Sequence, residues 1–411
     1  MTPCLSTPPL LEIPFLSDII AIRRDLHAHP ELAFNEARTA AFVARELAAY
    51  GLEVHGGLAG TGVVGVLRKG TGQSHGQSDG MRAIGLRADM DALPIMEISQ
   101  ADYGSTQAGR MHACGHDGHT AMLLGAARYL SAYRDRLDFE GVVYFIFQPA
   151  EEVGGGAQKM LEDGLFRRFP MDAVFGLHNW PGLPVGQIAA FPGPVMAGSS
   201  CFEITVRGQG CHAGMPHQGI DALVVASHLT LALQTIVARE IDPGEAAVVS
   251  VTQIHGGDAL NVIPEAVVLR GTIRTLRPEV ERRVEQAVMR LGAGIGQTFG
   301  ASVEVSFLER YPATINHPAE TALCQRAAAQ AIGGENLRTS AAPSMGAEDF
   351  AYMLREKAGC YVWLGNGDEA GSAGAYTLHN PRYDFNDAAI PFGVTYWVRL
   401  VECALGAAAQ R

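Results

Sequence analysis

Short apolar runs alternate with helical patterns along the first part of the chain, and this alternation constrains the fold more than any other feature of the sequence. DIIAIRRDLHAHPELAFNEARTAAFVARELAAYG carries apolar residues at helical spacing, with Gly51 placed to stop the second helix. The runs GVVGVLR, AIGLRADM, VVYFIFQPA and AVFGLH read as strands, and the helix TAMLLGAARYLSAYR falls between the second and the third. Strands alternating with helices predict an α/β layer with a largely parallel sheet flanked by helices. In such sheets, ligands gather beyond the carboxyl ends of the strands.

The pattern changes near Met196. SCFEITVRGQG alternates like a strand with one buried face, and a long helix follows from about Asp221 to Arg239. Then come AAVVSVTQIHGG, AVVLRGTIRTL, the helix PEVERRVEQAVMRLGAGIGQTFG and the strand ASVEVSFLERY. The order β-α-β-β-α-β is that of a ferredoxin-like α+β unit. It predicts an inserted domain over 197–310 and a catalytic domain formed by 1–196 and 311–411, where α/β character returns with a helix, YVWLG and a final helix. Residues 71–81, rich in glycine and serine, read as a flexible hairpin tip with no assigned role.

At 411 residues the chain has room for two or three folding units, and 47% hydrophobic against 18% charged residues supply a large core. The formal net charge of -12, with no Lys/Arg-rich run to offset it, argues against nucleic acid as a partner. The N-terminus lacks a basic segment, and its apolar residues are broken by prolines. No apolar run reads as long enough to span a bilayer, so neither a signal peptide nor a membrane partner is expected. The seven cysteines (Cys4, Cys114, Cys201, Cys211, Cys324, Cys360 and Cys403) are scattered, odd in number and never in a CxxC pair. That argues against a disulfide framework and makes a reducing cytoplasm the expected location.

The densest chemical signal is MHACGHDGH, residues 111–119. His112, Cys114, His116, Asp117 and His119 crowd into one short segment before a helix, and thiolate and imidazole both suit borderline metals such as zinc. Gly115 and Gly118 let the backbone bend between them. A second signal, FIFQPAEEVGGGA, ends an apolar strand in the adjacent carboxylates Glu151 and Glu152. Adjacent side chains point in different directions, so one can bind metal while the other acts as general base. An acidic pair opening a helix is the bland alternative, and the buried strand before it and the glycine run after it favour the catalytic reading. His178 ends the strand AVFGLHNWP, and His379 sits in the polar turn TLHNPRYDF. Either histidine alone would read as structural. With Cys114, His116 and Glu152 they make five ligands, enough for two metals if one ligand bridges.

Together these motifs resemble the metallopeptidase and amidohydrolase family that contains hippurate hydrolase, aminoacylase, carboxypeptidase G and the plant auxin-conjugate hydrolases, and they are most similar to its hippurate and auxin-conjugate branch. RRDLHAHPELAFNE, LRADMDALPI, HACGHDGHTAMLLGAA, FQPAEEVGGGA, GLHNWP, GCHAGMPHQGIDAL, NVIPEAVVLRGTIRTL, SMGAEDF and LHNP occur in family order over nearly the whole chain. The resemblance implies a catalytic α/β domain binding two divalent metals and an inserted lid that mediates a homodimer; the thiolate favours zinc by softness, with manganese, cobalt or nickel as alternatives. It places the metal ligands on Cys114, His116, Glu152, His178 and His379, and the general base on Glu151. It also implies that His212 of GCHAG reaches a neighbouring subunit's site and stabilises the oxyanion, and that Asn261 and Arg274 contact the substrate carboxylate. Carboxypeptidase-like relatives carry a His-x-Asp pair where this chain has Asp89-Met90-Asp91, so Asp89 and Asp91 read either as residues orienting ligands or as a strand-end turn.

The chemistry expected of such a set is hydrolysis of the amide bond of an N-acyl amino acid, a small-molecule substrate. The metals would polarise the acyl carbonyl and acidify a water. Glu151 would move the proton, His212 would meet the oxyanion, and an arginine would hold the carboxylate. A dipeptidase or aminopeptidase would use the same metals but needs an acidic group for a free substrate amine. A catalytically dead metal-binding dimer is the other alternative, and Glu151 beside a full ligand set argues against it.

Overall fold

The computed structural model describes residues 10–70, 82–99, 101–368 and 374–407; the stretch 71–81 lies outside them. The chain divides into two compact units. One comprises Met1–Gly193, Ile315–Ala341 and Tyr352–Arg411, the other Pro194–Thr314 and Ala342–Ala351.

The larger unit begins with helices α1 (Leu16–Ala28) and α2 (Ala37–Ala49), and Gly51, in the left-handed region at φ +81°, turns the chain out of α2. Strands β1 (Glu53–Leu58), β2 (Gly62–Lys69) and β3 (Ala83–Asp89) follow, then helix α3 (His116–Ala132) and strands β4 (Gly141–Gln148) and β5 (Ala173–Pro181). They build an eight-stranded sheet in the order β1-β2-β4-β3-β5, continued by Ala358–Gly367, Ile188–Ala189 and Leu337–Arg338. The central strands β4, β3, β5 and Ala358–Gly367 run parallel, while β1 and β2 form an antiparallel edge. Every residue of β3 and β4 is buried, as parallel strands covered by helices on both faces must be. Helix α3 is buried nearly all round. Helix Ile390–Leu405 joins it in the core through Val394, Tyr396, Trp397 and Val398. Each large apolar side chain sealed this way contributes roughly 1.5–3 kcal/mol.

The smaller unit is a four-stranded antiparallel sheet in the order Ala247–His255, Ala266–Thr275, Gly198–Arg207, Ser302–Tyr311. Strand Gly198–Arg207 alternates buried and half-buried residues along its length. The helices Ala222–Thr235 and Pro278–Phe299 cover the buried face with Val225, Leu229, Leu233, Val284 and Val288. Strand, helix, two strands, helix, strand is the ferredoxin-like order read from the sequence. Asp221 caps the first helix by accepting from the backbone N–H groups of Leu223 and Val224, at 2.9 and 3.3 Å. Two helical stretches, Ala222–Glu240 and Asp387–Leu405, match a bilayer in length and apolarity, contrary to the reading of the linear sequence. Both turn apolar residues onto a sheet core: Val225 and Leu229 in the first, Val394 and Val398 in the second.

Candidate active site

The carboxyl ends of β3, β4 and β5 carry the chemistry. Asp89 ends β3 and Asp91 lies two residues on. Gln148 ends β4 and leads through Pro149 to Glu151 and Glu152. His178 lies near the end of β5. The loop before α3 presents Cys114, and His116 opens the helix itself. Tight approach demands the glycines here. A Cβ on Gly115 (φ +91°) would overlap the Asn179 amide and the Tyr383 hydroxyl, and one on Gly118 would enter the Phe385 ring. Likewise a Cβ on Gly156 would overlap the Pro149 carbonyl, and the Gly156 N–H donates to the Ala150 carbonyl at 3.0 Å. Ala150 and His379 adopt left-handed φ of 54° and 65°, strain that only a well-determined surrounding sustains.

The five residues singled out as ligands come together in overlapping groups. Cys114, His116 and His178 have donor atoms within 4.8 Å of one another, and so do Cys114, Glu152 and His379; His116, Glu151 and Glu152 form a third such group. Cys114 belongs to the first two, so its sulfur is placed to bridge two positions. The Cys114 sulfur lies 3.4 Å from His178 Nε2, and His379 Nε2 lies 3.3 Å from Glu152 Oε1. The backbone N–H of His379 donates to the Ala113 carbonyl at 2.8 Å, pinning the exposed 379 turn to the cysteine loop.

Hydrogen bonds set which ring nitrogen each histidine leaves open. His116 Nδ1 donates to the Asp91 carbonyl at 2.9 Å and faces Asp91 Oδ1 at 3.2 Å, so Nε2 is the nitrogen left facing the site. His178 Nδ1 donates to the Asn179 carbonyl at 2.6 Å, again freeing Nε2. His116 Nε2 and Glu152 Oε1 are buried without a hydrogen-bond partner. Glu152 Oε1 lies 3.9 Å from His116 Nε2, and a cation between them would take the place of the proton that this carboxylate-rich pocket favours on the ring. Burial opposes a positive charge on His116, yet Asp89, Asp91 and Glu152 overcome it and push its pKa up to about 10. The same field attracts a metal ion. Burial, reinforced by His119, holds His178 well below its usual pKa and keeps it neutral, as a ligand must be.

Asp89, His116 and His119 form a further close group, but the Asp89 oxygens and both His119 nitrogens are already engaged. Asp89 Oδ2 accepts from Arg87 at 2.7 Å and Oδ1 from His119 Nδ1 at 2.6 Å, while His119 Nε2 accepts the Asn179 N–H at 2.9 Å. His119 therefore ties the end of β3 to β5 through Asp89 and Asn179. Asp117 is bound to His27 Nδ1 at 2.8 Å. Asp91 spans two of the expected ligands, since its Oδ2 accepts the Glu152 N–H at 3.0 Å while Oδ1 faces His116. Asn179, which the sequence did not single out, is fully buried; its Nδ2 donates to the Cys114 carbonyl at 2.6 Å and its Oδ1 accepts from Tyr383 at 2.6 Å. The signal for it was its place directly after His178.

The three residues expected on the inserted domain lie in the smaller unit. His212 and Asn261 share a two-stranded ribbon, in which Val262 pairs with His212 and the Ala213 N–H donates to the Asn261 carbonyl at 3.0 Å. Gly214 N–H donates to His212 Nδ1 at 3.0 Å, so the exposed imidazole carries its proton on Nε2. Arg274 is half-buried and donates to the Thr272 hydroxyl and, at 3.0 Å, to the Ile273 carbonyl.

Soft and hard donors gathered where parallel strands end, with a second carboxylate at hand, are the equipment of a metal-dependent hydrolase of amide bonds. Comparison with known proteins narrows this class. Residues 85–402 match the model of peptidase family M20/M25/M40, and the chain belongs to that family. It is 38% identical to the hippurate hydrolase of Campylobacter jejuni over 379 residues, covering 92% of this chain and 94% of that one. It is 40% identical to an N-acetyl-L-cysteine deacetylase of Bacillus subtilis, covering 90% and 84%. Among solved structures, the Bacillus subtilis YXEP protein, a dinuclear metal-binding peptidase of the M20 family, superposes with a TM-score of 0.81 at 34% identity over 96% of this chain and 99% of that one.

Proposed function

We propose that the protein hydrolyses the amide bond of N-acyl amino acids, releasing a carboxylic acid and a free amino acid. The observation that carries this reading is the buried Glu151 beside a shared set of thiolate, imidazole and carboxylate donors. The names of relatives that cover most of the chain support the substrate class. Cys114, His116 and His178 would hold one divalent metal and Cys114, Glu152 and His379 the other. Zinc suits the thiolate best, nickel suits the imidazoles and manganese the carboxylate, with cobalt a further alternative. When bound, the metals supply Lewis acidity toward the acyl carbonyl and a water.

The chain's own groups do the rest. Glu151 takes a proton from the attacking water as the new C–O bond forms, then hands it to the amine nitrogen as the C–N bond breaks. Asp91 and Asn179 hold His116, Glu152 and Cys114 in place. His212, with its proton on Nε2, would donate to the oxyanion. Arg274 and Asn261 would hold the substrate carboxylate. We assign the working form to a homodimer built through the smaller unit. Its strand Ala247–His255 is a sheet edge, and Leu223, Val224 and Leu231 of the adjoining helix, with Val248 and Ile254 of the strand, are exposed apolar residues there. A reducing cytoplasm suits a catalytic thiol that must stay unoxidised.

A panel of N-benzoyl and N-acetyl amino acids against an unblocked dipeptide tests the substrate class. Preference for the dipeptide would favour a peptidase instead. In the same assay Glu151→Gln is expected to keep its metal and lose about 10²–10⁴-fold in turnover. Near-normal turnover would remove Glu151 as the base.

A further inference from the structure

The segment ELAFNE, residues 31–36, lies far in sequence from the strand-end loops that carry the site, yet it is tied to two of them. The Ala92 N–H, next to Asp91, donates to the Glu31 carbonyl at 2.8 Å. The Glu31 carboxylate in turn accepts the first free N–H groups of α2, those of Arg38 and Thr39, at 3.0 and 2.8 Å. At the other end of the segment sits Glu36, fully buried. Its Oε1 accepts the backbone N–H of Ala150 at 2.9 Å and that of Phe34 at 3.0 Å, and its Oε2 accepts the Thr61 hydroxyl at 2.7 Å.

Both backbone partners of Glu36 Oε1 are strained. Among the described residues, Phe34, Ala59, Ala150 and His379 are the non-glycine positions at positive φ. Phe34 and Ala150, at 60° and 54°, are the two that share the Glu36 oxygen. A left-handed alanine costs on the order of 1–2 kcal/mol and needs an outside tie to persist. Ala150 directly precedes Glu151, so its φ decides where the Glu151 and Glu152 side chains point. Phe34 packs on the same loop, since its ring fills the space a side chain at Gly154 would take.

We infer that Glu36 is a positioning residue for catalysis: its carboxylate clamps Ala150 in the left-handed conformation that aims Glu151 and Glu152. The inference rests on the reading of Glu151 as base and Glu152 as ligand. Glu36 touches neither metal donors nor substrate, so it acts through the Ala150 backbone alone. The geometry asks for an acceptor of the right reach rather than for a charge. Glutamine supplies it, with its carbonyl oxygen on the two N–H groups and its amide toward Thr61. Aspartate, one methylene shorter, does not.

The test compares Glu36→Gln and Glu36→Asp on the best substrate of the panel, with metal content measured on each. Glu36→Asp is expected to lose about 10–10²-fold in kcat, as small misplacements of a catalytic group do, with KM and metal content near wild type. Glu36→Gln is expected to recover most of that loss. An aspartate variant with wild-type kcat, or glutamine and aspartate variants equally impaired, would overturn the clamp. Should Glu36→Asp fail to fold, Thr61→Val, which frees Oε2, carries the test; unchanged kcat there counts against the clamp, and a fall at constant KM supports it. Glu151→Gln run alongside separates the two failures. Turnover surviving in that variant sinks the assignment of Glu151, whereas turnover lost there but intact in Glu36→Asp sinks the clamp alone.

Discussion

Burial pushes the Cys114 thiol well above its usual pKa, and the carboxylates of Glu152, Glu151 and Asp89 push it the same way. A thiol so placed would lose its proton to solvent when a cation takes the proton's place on sulfur, so metal binding and the Cys114 thiolate are coupled. Cys114→Ala is expected to lose metal and activity in parallel, and metal analysis of the purified variant beside its turnover checks this. Two ions per chain with retained activity would make the thiol structural and the proposed ligand set wrong. The sequence displayed five possible ligands between His112 and His119 but not their duties. His116 and His119 sit one turn apart on α3 with the same chemistry. What separates them is the partner of Nδ1, Asp91 for one and Asp89 for the other, and the Asn179 N–H that occupies His119 Nε2. Such partners come from β3 and β5, and spacing along α3 carries no trace of them. For the same reason the sequence alone leaves Asp89 and Asp91 open between turn and orienting residues; their partners His119, His116 and Glu152 come from other segments.

Elements are held around the site by a buried network that joins α1 to α3. His27 on α1 donates to Asp117 in the first turn of α3 at 2.8 Å, and Arg23 reaches Asp117, Asp384 and Asp387. Burial alone would lower the His27 pKa; the hydrogen bond and charge of Asp117, helped by Glu97, overcome it and raise the value from 6.5 to about 9. A histidine that titrates higher when folded adds stability that is complete below about pH 6.5 and is lost as pH rises through about 9. A rise of that size is worth about 3 kcal/mol. The melting temperature should therefore fall across this window at constant metal content, and His27→Gln, less stable at the acid end, should flatten the fall. A profile identical in the two proteins would show that His27 does not carry the charge. At this scale the sequence was most informative. Periodicity marked the apolar strands, both N-terminal helices and the β-α-β-β-α-β order, because burial on one or two faces writes itself into the pattern of residues. It left out the network, since Asp117 and Asp387, which meet Arg23 and His27, lie far along the chain from them and the spacing within either segment carries no sign of the other.

The whole molecule poses a question of reach. In the smaller unit, Ala266 pairs with Arg207 at one end of a strand pair, and Arg274 with Ser199 at the other. Eight residues of extended chain separate Ala266 from Arg274, about 26 Å. The ribbon that carries His212 and Asn261 lies beyond the Ala266 end. One small N-acyl amino acid cannot touch His212 and Arg274 of the same chain at once. If both serve catalysis, each site draws Arg274 from one subunit and His212 with Asn261 from the other. Then His212→Ala and Glu151→Gln should each inactivate the homodimer, while a mixed dimer of the two should regain part of the activity. One of its two sites would combine an intact Glu151 with an intact His212 from different chains, and the other would have neither. Separately tagged chains, co-expressed and purified as heterodimers, should therefore reach about half the wild-type rate per dimer, far above either mutant homodimer. Heterodimers shown to be stable and metal-loaded that recover nothing would place His212 in its own chain's site or outside the chemistry. An active monomer in solution would dispose of the shared site directly.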